Sequence, residues 1–478
     1  MTTGNFYDLN VWAFILVIAV LLASILFANI LKKYIKPLRE SLIPNSVLGG
    51  IILLIISTIC YFTVGDYLFN LSAFNLSTDF SGMQVLEVIT YHCLAIGFIA
   101  MGMRSTEKKL TKKRSGEILD TGIITVGGYL LQAFLGMIIT IVAGLFIDGI
   151  ISGGGILLAF GFGQGTGQAL NYGKIFEADY GFIGGSSFGL TIAALGFLAA
   201  SIGGVIFLNV MKARGKIKIA TEEEKDNERE VVEEIGEISS SGSMDKLTVQ
   251  IGIVIIIYAL SFALMYGITA LLGEGVKNII FGFNFLMGTV LTIPVKAIIK
   301  KLRAKNIMKK EYVNNYMMNR IGGFAFDVMI VAGVGAIQLH MIKDYWLVLL
   351  IMAIIGTFGT YIYTNKTCKA FFKGYESEQF LASFGMLTGT ASTGIILLRE
   401  IDPTFSTPAS ENLVYQTVPA IVFGFPMMFL ATFAPQSDLS TYICLGVVVV
   451  LFVIMNLILY RRQIFRRKNK GEAVNEEN

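Results

Sequence analysis

Apolar runs long enough to cross a lipid bilayer recur from one end of this chain to the other, and that leaves few folds open. A hydrocarbon layer ~30 Å thick is spanned by a helix of about 20 apolar residues. Such runs occupy Leu9–Leu31, Ser46–Val64, Met83–Met103, Ile118–Ile147, Gly155–Tyr172 and Phe182–Met211. They resume at Leu247–Leu272, Ile279–Val295, Asn319–Leu339, Trp346–Tyr363, Phe380–Leu398, Glu411–Phe433 and Thr441–Tyr460. Only 15% of residues are charged and 54% are hydrophobic, against roughly 25% charged in a soluble domain. The expected class is an all-α polytopic membrane protein, and a water-soluble enzyme is excluded.

The four cysteines, Cys60, Cys93, Cys368 and Cys444, are widely spaced and form no Cys-x-x-Cys or Cys/His cluster. They read as small apolar residues within helices. Met1 to Asn10 has neither the basic start nor the cleavage site of a signal peptide, so the first run is expected to stay as a membrane helix. A bacterial-type plasma membrane is the expected location. No cofactor or nucleic-acid partner is implied.

Placement of charge sets orientation. Lys and Arg collect at Lys32–Arg39, Arg104–Arg114, Lys212–Lys218, Lys296–Lys305, Lys366–Lys373 and Arg461–Lys468, whereas Asp66–Gly82, Asp148–Gly154 and Ala434–Ser440 carry none. Basic loops stay cytoplasmic. All of these clusters fall on one side only if Gly155–Tyr172 and Phe380–Leu398 each return to the side they entered. The first is expected to be a re-entrant hairpin from outside, the second one from the cytoplasm.

Eleven crossings remain, with the N-terminus outside and the C-terminus cytoplasmic. Residues 1–211 hold five of them and a hairpin near 155–173. Residues 247–434 hold five more and a hairpin near 380–398. An odd number of crossings inverts the second copy, the arrangement of many secondary transporters. Residues 435–478 add one further helix and a basic tail. Between the halves, residues 212–246 include Thr221-Glu-Glu-Glu-Lys-Asp-Asn-Glu-Arg-Glu and Ser239-Ser-Ser-Gly-Ser243, which read as a solvated cytoplasmic linker.

Two echoes accompany the repeat. Phe162 to Ala169 and Phe384 to Ala391 agree at five of eight positions. Val47-Leu-Gly-Gly-Ile-Ile-Leu53 resembles Phe285-Leu-Met-Gly-Thr-Val-Leu291 more weakly. Irregular backbone at membrane depth is tolerated only where protein or a watery cavity satisfies it. Helix starts there present N–H groups to an anion. Freed carbonyls and hydroxyl oxygens suit sodium. Gln164, Gly165, Thr166, Gly167 and Gln168 are the candidates in the first hairpin, and Thr388, Gly389, Thr390 and Ser392 in the second. Close packing through small residues accounts for the glycines but not for Gln164, Gln168 and Asn171, whose burial in lipid is costly without partners. No Walker motif or Gly-x-Gly-x-x-Gly is present.

Ionisable residues within the runs are few. Asp327 lies seven residues after Arg320, on the same helix face, and reads either as an ion or proton ligand or as a structural partner. Arg320 reads as an interfacial anchor. Glu87 and His92 are expected to snorkel toward the headgroups.

These residues resemble the glutamate–sodium symporter family. Gly165-Thr166-Gly167 is similar to its first hairpin tip, and Tyr180-Gly-Phe182, Phe188-Gly-Leu190 and Gly203-Gly204 to its next segment. Ile43-Pro44 with Gly49-Gly50 resembles its second segment, and Phe384-Gly385 its second hairpin. The likeness runs in patches through Ile43–Gly204 and thins after Asp245. Gln164 stands where the family commonly has His, the second tip has less Gly and Pro, and the linker and last helix are additions. The resemblance implies a dimer with an elevator motion. The expected function is sodium-coupled symport of a small carboxylate, glutamate foremost, with sodium ligands unassigned. Proton coupling through Asp327, export of another organic anion, and a channel or sensor stand as alternatives. No nucleophile–base pair suggests an enzyme.

Overall fold

The computed structural model describes residues 5–77, 80–104, 111–220, 245–273, 277–307 and 313–476. The helices follow in order as α1 (Leu9–Tyr34), α2 (Lys36–Glu40), α3 (Asn45–Val64), α4 (Gly82–Met103), α5 (Lys112–Ala143), α6 (Leu157–Gln164), α7 (Thr166–Tyr180), α8 (Gly185–Ala213) and α9 (Lys246–Leu272). The order continues with α10 (Lys277–Gly282), α11 (Asn284–Ala304), α12 (Asn315–Gly335), α13 (Trp346–Phe371), α14 (Glu376–Leu387), α15 (Ala391–Arg399), α16 (Ala409–Tyr415), α17 (Thr417–Phe433) and α18 (Asp438–Glu476). Among the described residues the only extended pairing is an isolated bridge between Ser77 and Phe80.

Ten helices among the described residues are long and apolar enough to cross a membrane: α1, α3, α4, α5, α8, α9, α12, α13, α17 and α18. The remaining expected crossing, Ile279–Val295, falls on α10 and α11, where Lys296, Lys300, Lys301 and Arg303 load the second half of α11 with charge. Leu26, Ile59, Ile256, Phe358 and Val450 stand exposed on five of the ten, as side chains facing hydrocarbon do. Of the expected linker, residues 221–244 lie outside the described residues.

Helix ends follow local chemistry. Ser81 and Gln84 close a reciprocal capping box at α4. Thr111, Asp245 and Asn314 each accept a backbone N–H at the starts of α5, α9 and α12. The Gly155–Tyr172 run is broken into a 3-10 turn at Ser152–Ile156, then α6 and α7, parted at Gly165. There φ is 80° and ψ −169°, a conformation open to glycine alone. Helix α7 runs on past Tyr172 to Tyr180 and is capped by Gly181. The Phe380–Leu398 run becomes α14 and α15, parted at Thr388–Thr390. The helix after the break therefore starts three residues earlier in the echo at Thr166 than at Ala391. The Glu411–Phe433 run is divided at Gln416 into α16 and α17.

The chain forms two compact units, each drawing on both halves of the sequence. One comprises Met1–Lys109, Gly165–Ala194 and Thr221–Lys343. In it α4 and α12 pack face to face, with a ring edge of Phe326 filling the space a side chain at Gly97 would need. Helix α3 lies on α12, and α11 lies on α4. The break before α11 is held by Tyr91, whose hydroxyl donates to the Phe281 carbonyl at 2.7 Å, and by Asn284, which donates to the Tyr91 carbonyl at 3.2 Å.

The other unit comprises Leu110–Gln164, Leu195–Ala220 and Asp344–Asn478, with α5 at its centre against α6, α13, α14, α17 and α18. Its backbones approach closely. A Cβ on Gly136 would lie 2.0 Å from the Gly155 carbonyl oxygen, and one on Gly128 would meet Leu387. Near the start of α5, Arg114 pairs with Glu411 at 2.9 Å and Asp120 with Arg461 at 3.4 Å. Beyond its end, Ser152 donates to Asp438 at 2.7 Å.

Candidate functional site

The start of α7 is built against α4 and α12 within the first unit. Gly165 caps the helix with no side-chain hydrogen bond, so first-turn N–H groups lack intrahelical acceptors. Thr166 is fully buried, and its hydroxyl lies 3.4 Å from the Met329 carbonyl of α12. Gly167 is pressed between Leu94 of α4 and the Met329 sulfur. Gln168 is fully buried, and neither its amide nitrogen nor its oxygen has a partner. A buried amide left unpaired costs about 1–3 kcal/mol per group, so native folds seldom carry one away from a ligand or water.

Polar residues continue along α7 at every third position. Asn171 donates to the Gly282 carbonyl at the end of α10. Lys174 pairs with Glu87 of α4 at 2.9 Å and sits 3.8 Å from Glu177, to which Ser186 of α8 donates. Glu87 is thus engaged by Lys174. His92 likewise has a partner, the Tyr258 hydroxyl at 2.7 Å. Arg320 lies over the Tyr316 ring, 6.0 Å from its centroid. Asp327, on α12 two residues before Met329, is an exposed residue whose carboxyl lies beside Ser46 of α3.

In the second unit, α14 and α15 pack antiparallel where Gly385 meets Gly394. Thr388 is buried and donates back to the Phe384 carbonyl at 2.7 Å. The Thr390 and Thr393 hydroxyls are 3.4 Å apart. A side chain at Gly389 would crowd Thr393 and Phe197. Ser392, in the first turn of α15, is half-buried, as is Gln164 at the end of α6. Helix α15 also starts without a side-chain cap. The structure thus groups Gly165 to Gln168 with the helix that carries Asp327, and places Gln164 and Thr388 to Ser392 in the other unit.

Gln132 of α5 is not among the candidates named from sequence. It is fully buried and donates to the Leu387 carbonyl at 2.7 Å and to Thr360 at 2.9 Å, holding the end of α14. Lys174 is not among them either. An amide and an ammonium inside otherwise apolar stretches were the available signals.

A comparison with family models matches residues 7–405 to the sodium/glutamate symporter model. A comparison with curated proteins finds no match. The match takes in both helix-break regions, α7 with Gln168 and α14 with α15, and covers most of the chain. This chain belongs to the sodium/glutamate symporter family.

Proposed function

We propose that the chain is a sodium-coupled symporter that takes up a small carboxylate, glutamate foremost, across the cell membrane. The observation that carries this reading is Gln168, a buried amide with both polar atoms unpaired, in the first turn of a helix whose N–H groups are uncapped. N–H donors and an amide in one turn are complementary to a carboxylate. The oxygens of Thr388, Thr390 and Ser392, with the carbonyls freed at that break, suit sodium. Gln164, Gly165, Thr166, Gly167 and Gly389 shape the two turns. Asp327 stands as a further ion ligand.

The architecture proposed is two inverted repeats, residues 1–211 and 247–434, joined by the 212–246 linker and followed by an added helix in 435–478. Reciprocal packing supports it: α3 lies on α12 as α11 lies on α4. At Gly50 and Gly288, which hold the same place in the weaker echo, a Cβ would lie 2.6 Å from a side-chain atom of the opposing helix. The antiparallel α14 and α15 support a re-entrant hairpin in the second repeat, with α6 and α7 as its counterpart in the first. The working form is a homodimer, N-terminus outside and C-terminus cytoplasmic. Purified protein in liposomes should accumulate labelled glutamate under an imposed inward sodium gradient. Absence of accumulation for glutamate, aspartate and dicarboxylates alike would reject this function.

A further inference from the structure

Within the second unit, a row of buried amides turns its nitrogens toward α14 and leaves its oxygens bare. Both N–H bonds of Gln132 are spent, on the Leu387 carbonyl and on Thr360. Those of Asn412 go to Gln379 at 2.8 Å and to the Tyr375 hydroxyl at 3.3 Å. Gln416 donates to the Met386 sulfur at 2.7 Å. The oxygens of all three have no partner, and neither do the hydroxyls of Tyr363 and Thr364 on α13. Gln132, Thr364, Asn412 and Gln416 are fully buried.

The orientation of the Gln132 and Gln416 amides is fixed by chemistry. A carbonyl and a thioether only accept, so the groups facing Leu387 and Met386 must be N–H. Gln379 spends its own amide nitrogen on Ser383 at 2.9 Å, leaving its oxygen to receive Asn412. What is left bare is amide oxygen on Gln132, Asn412 and Gln416 and hydroxyl oxygen on Tyr363 and Thr364, a set that suits a cation.

The row has a direction. Along α14, Asn412 is held near the start, Gln416 at Met386 and Gln132 at Leu387. Along α5, the Tyr363 hydroxyl lies against Gly127, and Gln132 follows five residues later. A step of five residues is about 7.5 Å on a helix. That is too far for one coordination shell and suited to successive hydrated positions.

We propose that these oxygens line a hydrated seam along α14 that admits a small monovalent cation from the face where α14 begins as far as the α14–α15 turn. The choice of sodium as the cation rests on the symporter reading above; the seam itself rests on the bare oxygens.

The test uses the full-length chain in membrane vesicles, with the four native cysteines replaced and a single cysteine at Asn412, Gln416 or Thr364. A small cationic methanethiosulfonate reagent is applied from the α14 start face. All three sites should react, Asn412→Cys fastest. Ala382→Cys, where α14 packs on Gly394 of α15, should not. Sodium, against choline, should slow the reaction about tenfold once it stands about ten times above its dissociation constant. Silence at all three sites overturns the seam, and reaction indifferent to sodium overturns the cation. Should a cysteine variant fail to fold, Gln416→Met keeps the volume and removes the oxygen. Its melting temperature should then rise less with sodium than that of the parent, and an equal rise counts against the proposal. Loss of glutamate uptake with sodium-protected labelling intact would reject the symporter reading and leave the seam standing.

Discussion

Gly50 of α3 approaches Val334 of α12 so closely that a Cβ on the glycine would lie 2.6 Å from the valine Cβ. At the matching place in the second half, a Cβ on Gly288 would lie 2.6 Å from Ile99 of α4, but there the neighbour is Cδ1, the far end of a flexible chain. A Cβ beside the backbone cannot move without its helix, whereas Cδ1 can rotate away. Gly50→Ala is expected to cost about 1–3 kcal/mol, the usual range for overpacking, and Gly288→Ala clearly less. Melting of the two variants in one detergent checks the ranking, and equal losses would contradict it.

Lys174 is the cation that lets Glu87 sit low on α4, with its side chain only 20% exposed. Removing one member of such a pair strands the other. Lys174→Met should destabilise the protein by about 1–3 kcal/mol, below the ~3–5 kcal/mol of a fully buried pair. Combining it with Glu87→Gln should recover most of the loss. A thermal-melting cycle over the four proteins gives the coupling energy.

Gln168 is held unpaired in a buried place, which costs stability that only a ligand returns. Gln168→Met should therefore raise the melting temperature of the free protein, by an increment worth about 1 kcal/mol. It should also weaken glutamate binding by about tenfold or more, a loss of at least ~1.4 kcal/mol. A variant both less stable and fully active would show that the amide is structural.

His340, in the turn after α12, takes up the Tyr67 hydroxyl at Nδ1, 2.5 Å away, while Tyr61 stacks on both rings. Burial first, and then Lys343, lower its pKa from the ordinary value of 6.5. Asp66 lies beside Tyr67. A depressed folded pKa in a base means that the unfolded chain takes up the proton first. The contact's contribution, about 1 kcal/mol, is full above pH ~6.5 and is lost as pH falls from there through the depressed value. Hydrogen exchange in residues 65–75 should quicken over that window, and His340→Gln should flatten the response.

Single cysteines at Thr166 and Thr388, in a background without the native four, should be reached by polar thiol reagents from opposite sides of the membrane. Labelling of both from one side would reject the inverted hairpins.

The helical class and most span positions were legible because a lipid-facing helix needs only length and apolarity, which are properties of a local window. Ten of the eleven expected crossings have that character in the structure. The eleventh, α11, shows the limit of the rule, since a window cannot say whether Lys296 to Arg303 extend a helix beyond the apolar layer. The break at Gly165 was also foreseeable, because a φ of 80° with an extended ψ selects glycine. Its offset from the break at Thr388–Thr390 was not, because the echo aligns side chains and not backbone turns.

By itself the sequence determined a many-spanned helical protein, its two glycine-rich interruptions and the family to which these belong. Tertiary structure alone decided the pairings. That Lys174 meets Glu87, that Gln132 holds the end of α14, and that three amides present bare oxygens along one helix depend on which faces meet across 30 to 255 residues of chain. Hydrophobicity drives apolar faces together without direction, whereas a hydrogen bond is decided within tenths of an ångström and exists only once the helices have packed.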